Sequence, residues 1–392
     1  MSDQTHTILV VDDEPDLELL ITQRFRKEIR ENALKFVFAS NGQEALTKLG
    51  TNGETDVVLT DINMPVMDGL TLLSNLGKEY PLLKSVIVSA YGDMANIRTA
   101  LNRGAFDFIT KPIDFHDLEI TLGKSIREAM ARKQAEADRD HLVAYRKELD
   151  VARRIQESIV PRQFPPFPGR TEFDVYASMR AARSVGGDFY DFFLVDDHHL
   201  AFVIGDVTGK GIPAALFMAV SRTLLRATGA TGLAPNECLR RVNNVLFAES
   251  LPSMFVTCFY GVLDTRTGDV EYTNAGHNPP YVLRRDGTVT PTDQIGGFFL
   301  GAFDGVPYES ATLTLEAGDS LVLFTDGISE AVNPADDPYD EPRLEACLER
   351  LKAASPESIV REVVNDVDAF SAGAPQADDM TVLAVTYMPS TT

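Results

Sequence analysis

Between Gly123 and Pro161 the chain carries neither glycine nor proline, and alanine, glutamate, lysine, arginine and leucine dominate. These residues give up little conformational freedom in a helix, so Asp114 to Val160 is predicted as one long helix. It separates the two parts of a 392-residue sequence, which is long enough for two or three domains with sizeable cores. Leu142, Tyr145, Leu149, Ala152, Gln156 and Ile159 alternate spacings of three and four, a heptad seam with one polar member. The preceding Ala131 to Asp140 is too polar to continue it. That pattern suits a parallel homodimer held by a short coiled coil, weakened near Ala135. It also suits a single amphipathic helix lying on its own downstream domain. The proline cluster Pro161, Pro165, Pro166 and Pro168 ends the helix.

Upstream, Thr7 to Val11 is a continuous apolar run that stops at Asp12-Asp13-Glu14, as a buried parallel strand does. Similar runs at Lys35 to Ala39, Val57 to Thr60, Ser85 to Ser89 and Ala105 to Thr110 alternate with helical patterns near 15–29, 42–49, 68–78 and 93–103. The alternation predicts an α/β fold, a doubly wound, five-stranded parallel sheet with its site at the carboxyl ends of the strands. Those ends carry Asp12, Asp13, Asp61, Ser89 and Lys111. Carboxylates there can hold Mg2+, Asp61 can attack phosphorus, and an ammonium can pair with phosphate oxygens. Asp61-Ile-Asn-Met-Pro-Val-Met-Asp-Gly69, Val88-Ser-Ala90 and Thr110-Lys-Pro112 resemble the two-component receiver domain. The resemblance implies a domain over residues 5–125, phosphorylated at Asp61 by a cognate histidine kinase. It implies Mg2+ held by Asp13 and Asp61, beside Asp12, with the Asn63 carbonyl. Ser89 would contact the phosphoryl group, and Phe108 stands at the switch aromatic, without the hydroxyl of a tyrosine.

Downstream of the helix, Asp188 and Asp206 each follow a glycine and are separated by the hairpin-like Phe189 to Gly205. Glycine lets backbone approach a bound ion, and carboxylates suit hard divalent cations. Asp326 ends an apolar strand, and Asp378-Asp379 opens the last one. Four such strand ends can converge on a two-metal cluster, which polarises a phosphoryl oxygen and generates hydroxide from water at neutral pH.

Gly186-Gly-Asp-Phe-Tyr-Asp191, Gly205-Asp-Val-Thr-Gly-Lys-Gly211, Asn274-Ala-Gly-His-Asn-Pro-Pro280, Phe324-Thr-Asp-Gly327 and Asp378-Asp-Met-Thr381 together resemble the metal-dependent serine/threonine protein phosphatases (PPM family), in their bacterial SpoIIE-like branch. The resemblance implies an α+β domain over 161–388, a β-sandwich flanked by helices, with residues 126–160 as a helical coiled-coil linker. Val151 to Pro161 resembles the switch helix that precedes phosphatases of this branch. Asp188 and Asp206 would bridge or contact two Mn2+ or Mg2+ ions, with the Val207 carbonyl helping and Asp326 completing the set. Of the last pair, Asp378 is preferred as the ligand, leaving Asp379 behind it. Lys210 and Arg183 can contact substrate phosphate or form exposed ion pairs. His277 invites an acid role, but the structural reading is preferred, because a proline-flanked turn often needs a hydrogen-bonding residue. The implied partner is a phosphorylated anti-sigma-factor antagonist.

Two other functions compete. Gly186-Gly-Asp-Phe-Tyr is superficially similar to the turn of diguanylate cyclases, but Phe189 replaces an acid that chemistry needs. A catalytically silent module that sequesters a regulator is the second. The net charge of −22 argues against nonspecific binding to nucleic acid or an anionic membrane. No apolar run approaches a bilayer span, Met1 to Thr5 does not read as a leader, and no DNA-binding motif or anti-sigma kinase domain is recognised. Scattered Cys238, Cys258 and Cys347 read as core residues of a reducing cytoplasm.

Overall fold

The computed structural model describes residues 5–51, 55–90, 93–249, 254–295 and 297–389. The first four residues, read above for a leader, lie outside them. The chain divides into two compact units, Met1–Tyr145 and Arg146–Thr392.

In the first unit, β1 (His6–Val11), β2 (Leu34–Ala39), β3 (Val57–Asp61), β4 (Lys84–Ala90) and β5 (Asp107–Lys111) form a parallel sheet in the order β2-β1-β3-β4-β5. Between them run α1 (Pro15–Arg24), α2 (Arg26–Arg30), α3 (Gly42–Thr51), α4 (Gly69–Glu79) and α5 (Met94–Asn102), and α6 (Phe115–Ile159) follows. Successive residues of a strand point to opposite faces, and here both faces are covered. Ile8 and Val10 pack with Leu17 and Ile21 of α1 and Leu118 and Leu122 of α6. Leu9 and Val11 pack with Ala45 and Leu49 of α3 and Leu72 and Leu76 of α4. That is why the strands read as unbroken apolar runs. The helix expected over 15–29 is instead two, broken at Phe25 (φ −96°, ψ 22°), whose ring is buried 5.2 Å from that of Phe36.

The 45 residues of α6 belong to both units, as their helix-forming composition predicts. The heptad seam differs from expectation at Gln156. That side chain is only 5% exposed and is hydrogen-bonded within its own unit, whereas Leu142 (56%) and Tyr145 (48%) stand in solvent. The last turns of α6 therefore lie on the downstream domain.

The second unit contains β6 (Phe173–Arg180), β7 (Phe189–Leu194), β8 (His199–Val207), α7 (Ile212–Gly229), α8 (Pro235–Glu249), β9 (Val256–Asp264), β10 (Asp269–Ala275), β11 (Tyr281–Leu283), β12 (Val289–Pro291), β13 (Ala311–Thr314), β14 (Ser320–Phe324), α9 (Asp326–Ser329), α10 (Glu341–Glu349), α11 (Pro356–Ser371) and β15 (Met380–Tyr387). Two antiparallel sheets, β13-β10-β9-β8-β7 and β12-β11-β14-β15-β6, form the sandwich. Leu321, Leu323, Leu383 and Val385 share a core with β8, β9 and the inner faces of α7 and α8. The alternate residues Val322, Phe324, Val382 and Ala384 pack against α10 and α11. The layers thus run helices, sheet, sheet, helices.

Candidate functional sites

Antiparallel register brings the acids of the second unit to one end of the sandwich. Phe189 of β7 pairs with Gly205 of β8, so Asp188 and Asp206 share that end. Phe324 of β14 pairs with Val382 of β15, which does the same for Asp326 and Asp378-Asp379. The two sheets are tied there by Asp188: its carboxylate accepts from Thr325 Oγ1 at 2.7 Å and Thr381 Oγ1 at 2.6 Å. Asp188 is buried, and burial, then the nearby Asp206 charge, pushes its carboxyl well above the usual range. Asp206 is pushed up to about 7 by burial and by Asp326, with Asp378 and Asp379 adding to it. Burial, Glu330 and Asp378 raise Asp326.

Asp378 and Asp379 face different neighbours. Asp378 accepts an ion pair from Lys210 Nζ at 2.8 Å. Asp379 is buried and accepts from backbone amides of Ala182 (2.7 Å) and Gly187 (2.6 Å). Its oxygen leaves no space at Gly186, where an added Cβ would lie 2.1 Å away. The Val207 carbonyl also faces this loop, 2.7 Å from where a Cβ on Gly187 would sit. All donors are oxygens and several are destabilised by each other's charge, a set that fits hard divalent cations.

In the first unit the carboxyl ends of β1, β3 and β5 meet. Oxygens of Asp12, Asp13 and Asp61 lie within 4.8 Å of one another. Lys111 Nζ sits 2.8 Å from Asp61, 3.1 Å from Asp12 and 2.9 Å from Glu14. Burial would lower the Lys111 pKa, but these three carboxylates hold it above the ordinary value. Burial raises Asp12 against the pull of the Glu14 amide and Lys111. Asp61 accepts from the Ile62 amide at 2.6 Å. The following loop returns so closely that a Cβ on Gly69 would lie 2.1 Å from the Asp61 carbonyl oxygen, so only glycine fits. Ser89 is buried with its hydroxyl unpartnered among the described residues, Phe108 is half-buried, and Asn63 is exposed.

The family model described as "Stage II sporulation protein E (SpoIIE)" matches residues 196–388, and "Response regulator receiver domain" matches residues 8–122. The chain carries a response-regulator receiver domain and a SpoIIE-type phosphatase domain. It is 32% identical to Protein IcfG of Synechocystis sp. over 61% of its own length and 41% of that protein's, so it spans less than half of this relative. It is 28% identical to phosphoserine phosphatase RsbU of Bacillus subtilis over 64% of this chain and 74% of RsbU. The SiaA-PP2C domain of Pseudomonas aeruginosa shares the fold, with TM-score 0.56 and 20% identity over 63% of this chain and 98% of that one.

Among the described residues, Asp12, Asp13 and Asp61 are the one group of three or more acidic residues whose oxygens all lie within 4.8 Å of one another. Lys210 also donates to the Ala377 carbonyl at 2.7 Å, while Arg183 is exposed. His277 is buried, and burial lowers its pKa to about 4, leaving the ring neutral near pH 7. Its Nδ1 lies 3.0 Å from Thr257 Oγ1, and its amide donates to Asn274 Oδ1 at 2.7 Å. Thr325, Thr381, Glu14 and Gln156 were not singled out by sequence for their contacts to the sites. Both threonines lie inside the aspartate motifs Phe324-Thr-Asp-Gly327 and Asp378-Asp-Met-Thr381, and that position was the available signal.

Proposed function

We propose that the chain is a phosphoserine/phosphothreonine protein phosphatase governed by phosphorylation of Asp61. The observation that carries this reading is the gathering of Asp188, Asp206, Asp326 and Asp378 at one end of the sandwich, with oxygen donors only and with the carboxyl groups of Asp188, Asp206 and Asp326 pushed above their usual range. Two Mn2+ or Mg2+ ions bound there would supply the positive charge that polarises phosphorus and makes water a nucleophile near pH 7. Asp188, Asp206, Asp326 and Asp378 are the proposed ligands, with the Val207 carbonyl. Asp379 acts from behind, since backbone amides already occupy its carboxylate. Lys210 holds Asp378 and is placed to meet an incoming phosphate.

In the receiver, Asp12, Asp13, Asp61 and the Asn63 carbonyl would hold Mg2+, and Lys111 and Ser89 would meet the phosphoryl group delivered by a histidine kinase. Ser89's free hydroxyl supports that role. RsbU is named a phosphoserine phosphatase, which supports a phosphoprotein substrate of the anti-sigma-factor antagonist kind. Exposed Leu142 and Tyr145 support a homodimer paired along the upper part of the linker (126–160). No helix among the described residues is long and apolar enough to cross a membrane; a cytoplasmic site of action is part of the proposal.

Hydrolysis of a phosphoserine protein with and without Mn2+ tests this, using wild type, Asp206→Asn and Asp61→Ala. Metal-dependent turnover, lost in Asp206→Asn with folding retained, is expected. Beryllofluoride, a mimic of the phosphoryl group, should change the wild-type rate and leave Asp61→Ala unaffected. Silence of wild type in every state would instead indicate the sequestering module.

A further inference from the structure

β6 is the last strand of its sheet: β15 pairs with one edge, and among the described residues no strand pairs with the other. A free strand edge presents backbone donors and acceptors to an incoming chain. Here a groove of about 390 Å3 follows that edge over Ala177 to Ala181, with the last turns of α6 as its opposite wall. Toward Tyr176 it meets Phe164, whose ring lies 4.5 Å from that of Tyr176 and 5.9 Å from that of Phe192. Toward Ala181 it reaches Arg183 and Ser184, in the loop that carries Asp188. Arg153, Arg162, Arg180 and Arg183 line the groove against a single acid, Glu157. That is the reverse of the whole chain, which has 58 aspartates and glutamates to 36 lysines and arginines. Glu157 pairs with Arg162 at 3.0 Å, and Arg180 pairs with Asp368 at 2.6 Å. Arg153 and Arg183 are exposed and have no ion-pair partner among the described residues.

We propose that this groove docks an extended, acidic segment of the phosphoprotein whose phosphate enters the metal site. The proposal deepens the phosphatase reading above and rests on it. A segment laid along β6 pairs its backbone with the free edge, as extended peptides do at exposed sheet edges. Its carboxylates meet Arg153 and Arg183, whose planar guanidiniums suit bidentate pairing and have no carboxylate to give up. A basic segment would instead place like charges against four arginines, so the groove selects by charge. Continuity favours the substrate over a second copy of this chain as the occupant. The strand that forms the groove runs on into the loop of Asp188, so a segment held on β6 is tethered beside the place where its phosphate must arrive.

The test uses the full chain and two labelled phosphoserine peptides, alike except that the residues flanking the phosphoserine are glutamates in one and lysines in the other. Binding is read by fluorescence anisotropy in Asp206→Asn, so that it needs no turnover, and kcat/KM is read with Mn2+ in the otherwise wild-type chain. The glutamate peptide should bind about tenfold more tightly than the lysine peptide. Arg153→Glu should weaken the glutamate peptide about tenfold and tighten the lysine peptide, a crossover that a merely structural arginine would not produce. Methylating one alternate set of backbone amides in the glutamate peptide should weaken binding, and methylating the other set should not, because a paired strand turns only every second amide to its neighbour. Equal affinity for the two peptides overturns the proposal, as does an Arg153→Glu chain that weakens both alike, or a parent affinity kept by both methylated peptides. Self-association that Arg153→Glu abolishes, without any preference between peptides, gives the groove to a second copy and overturns it too. If Arg153→Glu lacks a cooperative unfolding transition, Arg153→Ala decides, with a loss confined to the glutamate peptide. A chain that binds by this pattern but releases no phosphate fails the phosphatase reading alone, whereas hydrolysis indifferent to flanking charge fails the groove alone.

Discussion

The two acidic sites of this chain solve the same electrostatic problem in different ways. In the receiver, Lys111 lies among Asp12, Glu14 and Asp61, so the cluster carries its own cation and remains partly open to water. In the phosphatase domain, the one lysine named at the site pairs with Asp378, while Asp188 and Asp206 lie among like charges in a less hydrated place. The first site can persist without a metal ion. The second is destabilised until protons or divalent ions arrive.

The largest consequence concerns ion binding. Mn2+ at a thousandfold excess over its dissociation constant should stabilise the phosphatase domain by about 4 kcal/mol. Mg2+ should stabilise the receiver by less, because Lys111 already supplies charge. Hydrogen exchange followed separately in β8, β14 and β15 and in β1, β3 and β5 measures both. Equal responses would break the contrast.

Next comes the hydroxyl pair on Asp188. Thr325→Val and Thr381→Val each remove a donor to a buried carboxylate, worth about 1.5 kcal/mol apiece for a charge-assisted bond. Urea unfolding of the metal-free double variant should show about 3 kcal/mol lost, less if the sites couple. Since these donors also restrain the upward shift of Asp188, the variant should need a higher pH for half-maximal Mn2+ binding. A variant as stable as wild type, with an unchanged binding profile, would show that the hydroxyls do not hold Asp188.

A smaller effect follows from pH. Asp206 in the folded chain is pushed up to about 7, above its unfolded value near 4, so the folded state binds the extra proton. That contribution to stability is complete below about pH 4 and is lost as pH rises through about 7. Metal-free phosphatase domain should therefore lose on the order of 2 kcal/mol between pH 5 and 8 within the full chain, and Mn2+ should abolish the loss. Thermal scans at both pH values check it. A flat profile would remove the like-charge strain from the argument.

Much of the architecture was legible because burial leaves a period. Unbroken apolar runs marked strands covered on both faces, and glycine before Asp188 and Asp206 marked places where backbone packs too closely for a side chain. What escaped depended on which surface a residue meets. The spacing of Gln156 is the same whether its face meets a second helix or its own domain, so spacing could not choose between them. Thr325 and Thr381 lie 56 residues apart in sequence and meet only when β14 pairs with β15. Phe25 breaks its helix because its ring packs beside Phe36, a contact that helix periodicity does not encode.

The smallest expected effect sharpens the receiver side of the comparison. Lys111→Met keeps the aliphatic stem and removes the charge from among three carboxylates. Because this lysine is 24% exposed and water screens the cluster, the cost without metal should be about 1 kcal/mol, well short of that for a fully buried pair. Asp12, already raised by burial, loses a group that lowers its pKa and should rise further. Removing a resident cation also removes a competitor for Mg2+, so calorimetry should find tighter Mg2+ binding in Lys111→Met than in wild type, with the stability loss recovered when Mg2+ is saturating. Weaker Mg2+ binding in that variant would mean that Lys111 orders the carboxylates for the ion instead of standing in for it, and the two acidic sites would then be alike in needing help from a neighbour before a metal can bind.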